Sequence, residues 1–443
     1  MRLKLLTLAL TLAVLPLSGR SEDLLDAYRE ARANNPTLAQ SDAQRLSTAE
    51  GITQSRALLL PQLSAGLTFS QASGADSRDS AGGHSRSRQL SATLNQSILD
   101  LSKWANLSAA RSQSESQDQT YQAALQALYV EVTQAYFLVL TSEDALTFAK
   151  ANEDAYRQAY EQADQRFKVG LSAVTDVYQA KSYYENAKAQ TIAAQNTLND
   201  AREGLTQVTG KQTGELKKLR EELPMDPPTP NDPNTWVQEA LKNNPNILAQ
   251  QYNVEAAEHT ISAARAGHLP TISATVQRGK TTGWLENGNV NPLSSSALGN
   301  GRYGTTAGVT LSVPIFSGGA TQSHVRQSIY QRDSAQDGLE IQRRQVTRNT
   351  LNYYRSVVAG IAQVQAAKAS VDSGQKALEA TRAGFDVGTQ TMLNVLNAIQ
   401  TLTQSESTYS QTRHAFILDK LQLKQSSGAI DLKDVEEVNA LLQ

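Results

Sequence analysis

The sequence contains no cysteine. That excludes disulfides, thiolate metal sites and a lipidated N-terminal cysteine. Aromatic residues are only 6% and charged residues 19% of the 443 residues. Ala, Gln, Ser, Thr and Asn take their place, a mix that suits long, lightly packed helices better than a thick core. The formal charge of -2 is too balanced for a nucleic-acid partner. Past the N-terminus there is no run of about 18 apolar residues, so no later segment reads as a membrane-spanning helix. A membrane β-barrel would leave no such run and is not excluded.

Catalytic signatures are also missing. Neither H-E-x-x-H nor G-x-S-x-G occurs. The histidines (His84, His259, His268, His324 and His414) form no spaced ligand set and read as surface or interface side chains. Gly299-Asn300-Gly301-Arg302-Tyr303-Gly304 matches G-x-G-x-x-G by letter. A dinucleotide site needs a strand before that run and a helix after it. Here a polar loop precedes and a strand pattern follows, so the run reads as a surface loop. No enzyme activity, cofactor, metal or catalytic residue is expected.

What the chain does contain, it contains twice. Asn34-Asn35-Pro36 recurs as Asn243-Asn244-Pro245, Leu60-Pro61 as Leu269-Pro270, and Phe167-Lys168-Val169-Gly170 as Phe385-Asp386-Val387-Gly388. A period of about 210 residues is too long for a solenoid unit and implies one architecture built from two similar halves. Ahead of them, Arg2 and Lys4 start a basic N-terminus, Leu5 to Leu17 is largely apolar, and Gly19-Arg20-Ser21 offers small residues for cleavage. Residues 1–21 are therefore expected to be a signal peptide.

Each half opens with helix, over 22–34 and 235–243, broken where proline disfavours helical geometry at the preceding residue. A second helix then runs to Leu60 or Leu269. After the next proline the period changes to two. Leu63, Ala65, Leu67 and Phe69 alternate with small polar residues, as do Ile272, Ala274 and Val276. Polar loops (71–88 and 278–304) follow, and alternation resumes through Leu90, Ala92, Leu94 and Ile98, and through Ala307, Val309, Leu311, Val313 and Ile315. Strands are expected at about 62–71, 89–99, 271–278 and 305–316. Segments of about 9–11 residues fit tilted strands crossing a bilayer; the rival is a soluble sandwich with one wet face.

The remainder reads as very long helix. No proline or glycine interrupts Leu101 to Phe167, which as helix would reach roughly 100 Å. Residues 318–385 mirror it. Narrow apolar stripes run through Tyr121, Leu125, Leu128, Val132, Tyr136 and Val139, and through Leu351, Tyr354, Val358 and Ile361. Such a seam cannot build a globular core, but it can build a layer one helix thick. Gly170 and Gly388 fit the ends of these helices, and 171–208 and 389–427 return alongside. Pro224, Pro227, Pro228, Pro230 and Pro233 make a stiff connector between the halves.

Four strands cannot close a barrel, and open edges in lipid leave backbone groups unsatisfied. The chain must then oligomerise. Two copies would give eight strands around a filled interior; three would give twelve around a lumen, which suits the polar inner face.

Several segments carry a family likeness: Glu22-Asp23-Leu24-Leu25, Leu59-Leu60-Pro61-Gln62-Leu63, Gln96-Ser97-Ile98-Leu99-Asp100-Leu101-Ser102-Lys103-Trp104, Gln165-Arg166-Phe167-Lys168-Val169-Gly170-Leu171, Gly267-His268-Leu269-Pro270-Thr271, and Val313-Pro314-Ile315-Phe316-Ser317-Gly318-Gly319. Over nearly all of residues 22–432 the chain resembles the TolC family of outer-membrane efflux and type I secretion channels. The resemblance implies a membrane α+β fold. Three chains would form a homotrimeric 12-stranded outer-membrane β-barrel, four strands per protomer, continuous with a long periplasmic α-helical barrel. It implies the outer membrane with a large periplasmic portion as location, and outer-membrane lipid, a periplasmic adaptor protein and an inner-membrane RND, ABC or MFS transporter as partners. Residues 22–215 and 235–428 would be the two structural repeats, 216–234 the equatorial connector and 429–443 a C-terminal equatorial segment.

The resemblance also assigns a periplasmic gate near the two helical tips. Thr175 and Asp176 match one side of a latch, Phe385 and Gln390 the other, and Asn394 and Asn397 a pore-facing pair. The family pattern has tyrosine, arginine and two aspartates at the last four positions. Phe385 has no hydroxyl to offer Asp176, Gln390 has no charge, and Asn394 and Asn397 remove a ring of negative charge. Val169, Gly170, Leu171, Val387, Gly388 and Thr389 match the tips where the adaptor docks. On the residues alone, a non-transport periplasmic coiled-coil protein or adhesin with a small β anchor remains open.

Overall fold

The computed structural model describes residues 22–73, 84–285 and 301–443. The expected signal peptide (1–21) and Gly299-Asn300 of the glycine-rich run lie outside the described residues. In chain order the elements are α1 (Leu24–Asn34), α2 (Pro36–Ala57), β1 (Gln62–Ser73), β2 (His84–Leu99), α3 (Leu101–Lys168), α4 (Val174–Thr209), α5 (Pro233–Asn243), α6 (Pro245–Ala266), β3 (Thr271–Leu285), β4 (Gly304–Ser312), α7 (Ala320–Asp386), α8 (Met392–Ser427) and α9 (Leu432–Asn439). Contacts group the described residues into two units, each drawing on both halves of the sequence: those within 22–42, 121–247 and 343–443, and those within 43–120 and 248–342.

In the first, all-helical unit the repeated Asn-Asn-Pro segments have a clear job. Asn35 and Asn244 are extended (ψ 118° and 121°), as the following proline requires. Each then caps the helix that the proline begins. Asn35 Oδ1 accepts from the amides of Thr37 (2.9 Å) and Leu38 (3.1 Å), and Asn244 Oδ1 from Asn246 (3.0 Å). Their Nδ2 atoms donate to Val208 O and Ser426 O, the ends of α4 and α8. Beside them Gly210 and Gly428 end those helices at φ 73° and 76°.

The core of this unit lies along α3. Leu128, Val132, Tyr136 and Val139 are buried, and Tyr121 and Leu125 pack against the same cluster. It gathers Leu24 and Tyr28 from α1, Leu205 from α4, Ile417 and Leu421 from α8, and Val435 and Val438 from α9. Each such side chain contributes about 1.5–3 kcal/mol on full burial. The Tyr136 hydroxyl is shared between the carbonyls of Lys217 (2.9 Å) and Glu22 (3.1 Å), so it is not buried unpaired.

The second stripe is displaced from the expected one. Between residues 346 and 364 of α7 the buried positions are Val346, Thr350, Val357, Gly360 and Val364, whereas Val358 is 43% exposed and Leu351, Tyr354 and Ile361 are half-buried. The large side chain at this contact comes from the neighbouring helix. Phe416 of α8 sits against Gly360, where a Cβ would lie 2.9 Å from the ring. A seam of valines with a threonine and a glycine among them is masked in the sequence by the larger side chains at neighbouring positions.

His414 also departs from expectation. It is not on the surface but buried (5% exposed), stacked on Phe137 with its Nδ1 2.7 Å from Thr141 Oγ1. Burial pushes its pKa down to about 4; Asp144 opposes that shift and Arg413 adds to it.

The second unit is an antiparallel sheet in the order β1-β2-β3-β4 with helical segments at one end. Its register aligns Leu63 with Leu94, Leu94 with Val276 and Val276 with Ala307. Every second residue therefore falls on one apolar face, and Ser64, Thr93, Gln277 and Thr306 fall on the other. Three of the strands are longer than expected: β1 runs on to Ser73, β2 begins at His84 and β3 continues to Leu285, into segments that read as polar loop. β4 is shorter, ending at Ser312 rather than near 316, because Pro314 has no N–H for the ladder. The apolar pattern continues without pairing, leaving Ile315 and Phe316 95% and 88% exposed. A bulge lies between Ser97 and Leu99, so Leu99 rather than Ile98 pairs with Ile272. Below the sheet, Ser116 Oγ on α3 donates to Ala249 O of α6 at 2.8 Å.

Candidate functional site

The two helix–turn–helix tips of the all-helical unit are built alike. At the first, Gly170 (φ 76°) reverses the chain; its amide bonds Phe167 O (2.9 Å), and the Leu171 amide reaches Arg166 O (2.8 Å). At the second, Gly388 (φ 83°) does the same: its amide bonds Phe385 O (3.1 Å), and Thr389 N reaches Gly384 O (2.8 Å). Thr389 Oγ1 also donates to Gly384 O at 3.0 Å. Val169, Leu171 and Val387 are 69%, 74% and 76% exposed, and Gly170, Gly388 and Thr389 are exposed with them.

The tips touch. Arg166 of α3 lies with its guanidinium 4.5 Å from the centre of the Phe385 ring and donates to Phe385 O (3.3 Å) and Asp386 O (3.4 Å). Gln162 Nε2 donates to Asp386 Oδ1 at 3.2 Å. A cation therefore sits where the last carbonyls of α7 point, which the helix dipole favours. Behind it Tyr156, Ala163, Val177, Phe385, Met392 and Leu396 form a small apolar cluster from all four helices.

The residues matched to the gate are distributed around this contact. Thr175 is exposed and Asp176 half-buried in the first turn of α4, where Asp176 Oδ2 accepts from Ser172 Oγ at 2.7 Å. Phe385 is buried (8% exposed) under Arg166. Gln390 is exposed, and its Oε1 accepts from Asn394 Nδ2 at 2.7 Å. Asn394 and Asn397 both lie on the exposed side of α8, and Asn397 Oδ1 accepts a long bond from Tyr183 of α4 at 3.4 Å. The bonds of Asp176 and Gln390 thus stay within their own hairpins.

Sequence reasoning assigned no role to Arg166, Gln162 or Tyr183. Arg166 carried a signal: aligning the repeats on Phe-x-Val-Gly sets it against Gly384. A Cβ on Gly384 would come 2.6 Å from Gln390 Cγ, so the second tip has no room for a side chain where the first places an arginine.

The family model described as outer membrane efflux protein matches residues 27–211 and 236–429. The chain belongs to the outer membrane efflux protein family. It is similar to outer membrane protein TolC of Vibrio cholerae (34% identical, covering 99% of each chain) and of Escherichia coli (33% identical, 96% of this chain and 86% of that one). A crystal structure of a membrane protein from Pseudomonas aeruginosa shares the fold, with TM-score 0.78 at 22% identity over 91% of this chain and 93% of that one. This member of the efflux protein family is an outer-membrane channel protein of the class serving efflux and type I secretion, with a large periplasmic portion.

Proposed function

We propose that three copies assemble into a passive exit duct. Each would contribute four strands to a 12-stranded barrel in the outer membrane and four long helices to a periplasmic tube. The observation that carries this reading is the sheet. One face is apolar, the other is small and polar, and β1 and β4 are edge strands. Edges of that kind are tolerated in lipid only if another chain pairs with them. Residues 22–215 and 235–428 act as the repeats, 216–234 as the connector and 429–443 as a closing segment.

The duct performs no chemistry. Energy comes from an inner-membrane RND, ABC or MFS transporter, handed on by a periplasmic adaptor that docks on Val169-Gly170-Leu171 and Val387-Gly388-Thr389. Thr175, Asp176, Phe385, Gln390, Asn394 and Asn397 form the gate, and small molecules or unfolded polypeptides are the cargo. Cross-linking of detergent-extracted protein should give a trimer, and the trimer should conduct in a planar bilayer. Leu67→Arg should impair assembly by about 2–4 kcal/mol if that residue lies near mid-bilayer, while Thr68→Arg on the polar face is tolerated. A monomer, or equal tolerance of the two variants, would overturn the barrel.

A further inference from the structure

The charges on the sheet are not where water is expected. The four strands carry no Asp or Glu, and the small polar face carries no Lys or Arg among its described residues. Arg88, Arg278 and Lys280, with Arg86, all fall on the apolar face. The register fixes this: Arg88 pairs with Phe69, Lys280 with Leu90, and Arg278 with Ala92, which faces Ala65. Cations kept merely for solubility would sit on the wet side.

Their height is also set. The apolar face ends at Phe69 on β1, Leu90 on β2, Val276 on β3 and Ala307 on β4. From β1 to β2 to β3 that limit retreats toward the helix-bearing end, by two residues and then four, and from β3 to β4 it stays level. Strands spaced about 4.8 Å apart and tilted about 35–45° in a barrel shift a membrane boundary by about one to one and a half residues per strand. Outward positions come every second residue, so single steps are coarse, and their mean of two residues per strand is of that order. The next outward residue beyond the limit is Arg88 on β2 and Arg278 on β3; Lys280 follows. Arg88 and Lys280 are diagonal neighbours, about 7–8 Å apart at their Cα atoms.

The surroundings fit a bilayer surface. Phe69 and Tyr303 are 68% and 61% exposed beside the cations, and Lys280 Nζ lies 5.9 Å from the Tyr303 ring centre. Trp104 and Phe316 are exposed at the helix-bearing end of the same unit. Aromatic residues at both margins of an apolar belt mark the two interfaces of a membrane. Arg86 donates its Nε to Gln71 Oε1 at 3.2 Å, next to the patch.

We infer that Arg88, Arg278 and Lys280 bind the phosphorylated headgroup of a lipid in the leaflet around the strand tips, one site on the outer face of each chain. This rests on the barrel reading above. The ligand must be anionic where the cations are and apolar immediately below, because Leu67, Leu90 and Val276 continue the surface toward the helices. A guanidinium grips phosphate oxygens in pairs, and a lysine adds a point charge. Near the interface such side chains cost little on a lipid-facing strand, and the headgroup offsets their mutual repulsion.

The full-length protein in neutral detergent would be titrated with diphosphoryl lipid A, its dephosphorylated form and inorganic phosphate, and binding read by native mass spectrometry. Wild type should bind the phosphorylated lipid and neither of the others at equal concentration. Arg88→Gln, Arg278→Gln and Lys280→Gln combined should weaken binding roughly fivefold per cation removed. The charge-retaining pair Arg88→Lys and Arg278→Lys should keep most of it. Less than a twofold loss in the triple variant overturns the inference, as does equal binding of the dephosphorylated lipid or of free phosphate. If the triple variant does not assemble, the three-ligand comparison on wild type decides. Insertion into phosphatidylcholine vesicles separates the two readings. A wild type that inserts and conducts, but ignores the phosphate, loses only the headgroup site. A wild type that does not insert loses the barrel as well.

Discussion

The guanidinium of Arg166 stacks 4.5 Å from the ring centre of Phe385, which comes from the other hairpin. Its two terminal nitrogens also bond the carbonyls of Phe385 and Asp386. One side chain on α3 therefore covers the end of α7. A cation–π contact gives about 0.5–1 kcal/mol at such a site, and charge-assisted hydrogen bonds add to it. Arg166→Ala should loosen the tips by about 1–2 kcal/mol and raise the conductance of the resting channel in planar bilayers. Arg166→Lys should recover only part, since a lysine cannot fork across two carbonyls. A resting conductance indifferent to both changes would mean that this contact does not hold the entrance.

Gly428 is a stricter position than its repeat partner. An added Cβ would meet the carbonyl oxygen of Asn243 at 2.5 Å, which is backbone, whereas on Gly210 it would meet the side chain of Asn34 at 2.8 Å. Both glycines have positive φ, so alanine costs about 1–3 kcal/mol at either. Gly428→Ala should exceed Gly210→Ala in the thermal unfolding of the helical signal. Alanine at Gly170 or Gly388, where the space is open, should cost the conformational strain alone. Equal Tm losses at Gly428 and Gly388 would show that the turn relaxes around the added methyl.

These glycines mark how far the sequence could be read. The repeat, the long helices and the period-two strands were legible because each leaves a regular pattern: Asn-Asn-Pro at two breaks, or Leu63 to Phe69 in alternation. What escaped was set by pairing between distant segments. The α7 seam depends on Phe416 filling the space over Gly360. The burial of His414 depends on Thr141 and Phe137, far away in the chain. The reach of β2 into a polar stretch follows from pairing, since Ser85 and Ser87 find partners on β3 that their composition does not announce. At the tips the glycines were readable, but the residue that spans them, Arg166, was seen only as part of a motif.

His414 should give the protein an acid-labile step. Its pKa in the folded chain is about 4 against an ordinary 6.5. The unfolded chain therefore takes up the proton first as pH falls. Stability is full above about 6.5, declines between about 6.5 and 4, and levels off below, with a loss of at most about 3 kcal/mol from this group. Asp144 and Arg413 are the charges acting on it, and Ser410 donates to Asp144 Oδ2 at 2.6 Å. His414→Gln should lower stability at neutral pH and flatten its slope between pH 6.5 and 4. A variant with the wild-type slope would assign the acid sensitivity to other groups.

The entrance itself can be tested by restoring charge. Asn394 and Asn397 are one helical turn apart on the exposed side of α8. In a trimer with the proposed gate they would set six amides around the narrowest ring. Rings of carboxylate select cations, and neutral rings do not. Asn394→Asp with Asn397→Asp is nearly isosteric. The Gln390 amide can turn its NH2 toward an aspartate at 394, and Tyr183 can still donate at 397, so the fold should survive. Wild type should be weakly cation-selective and little affected by multivalent cations from the periplasmic side. The double variant should shift the reversal potential toward cation selectivity and become blocked by those ions. If the variant conducts with unchanged selectivity and no block, these asparagines do not line the pore, and the gate lies elsewhere on the tips.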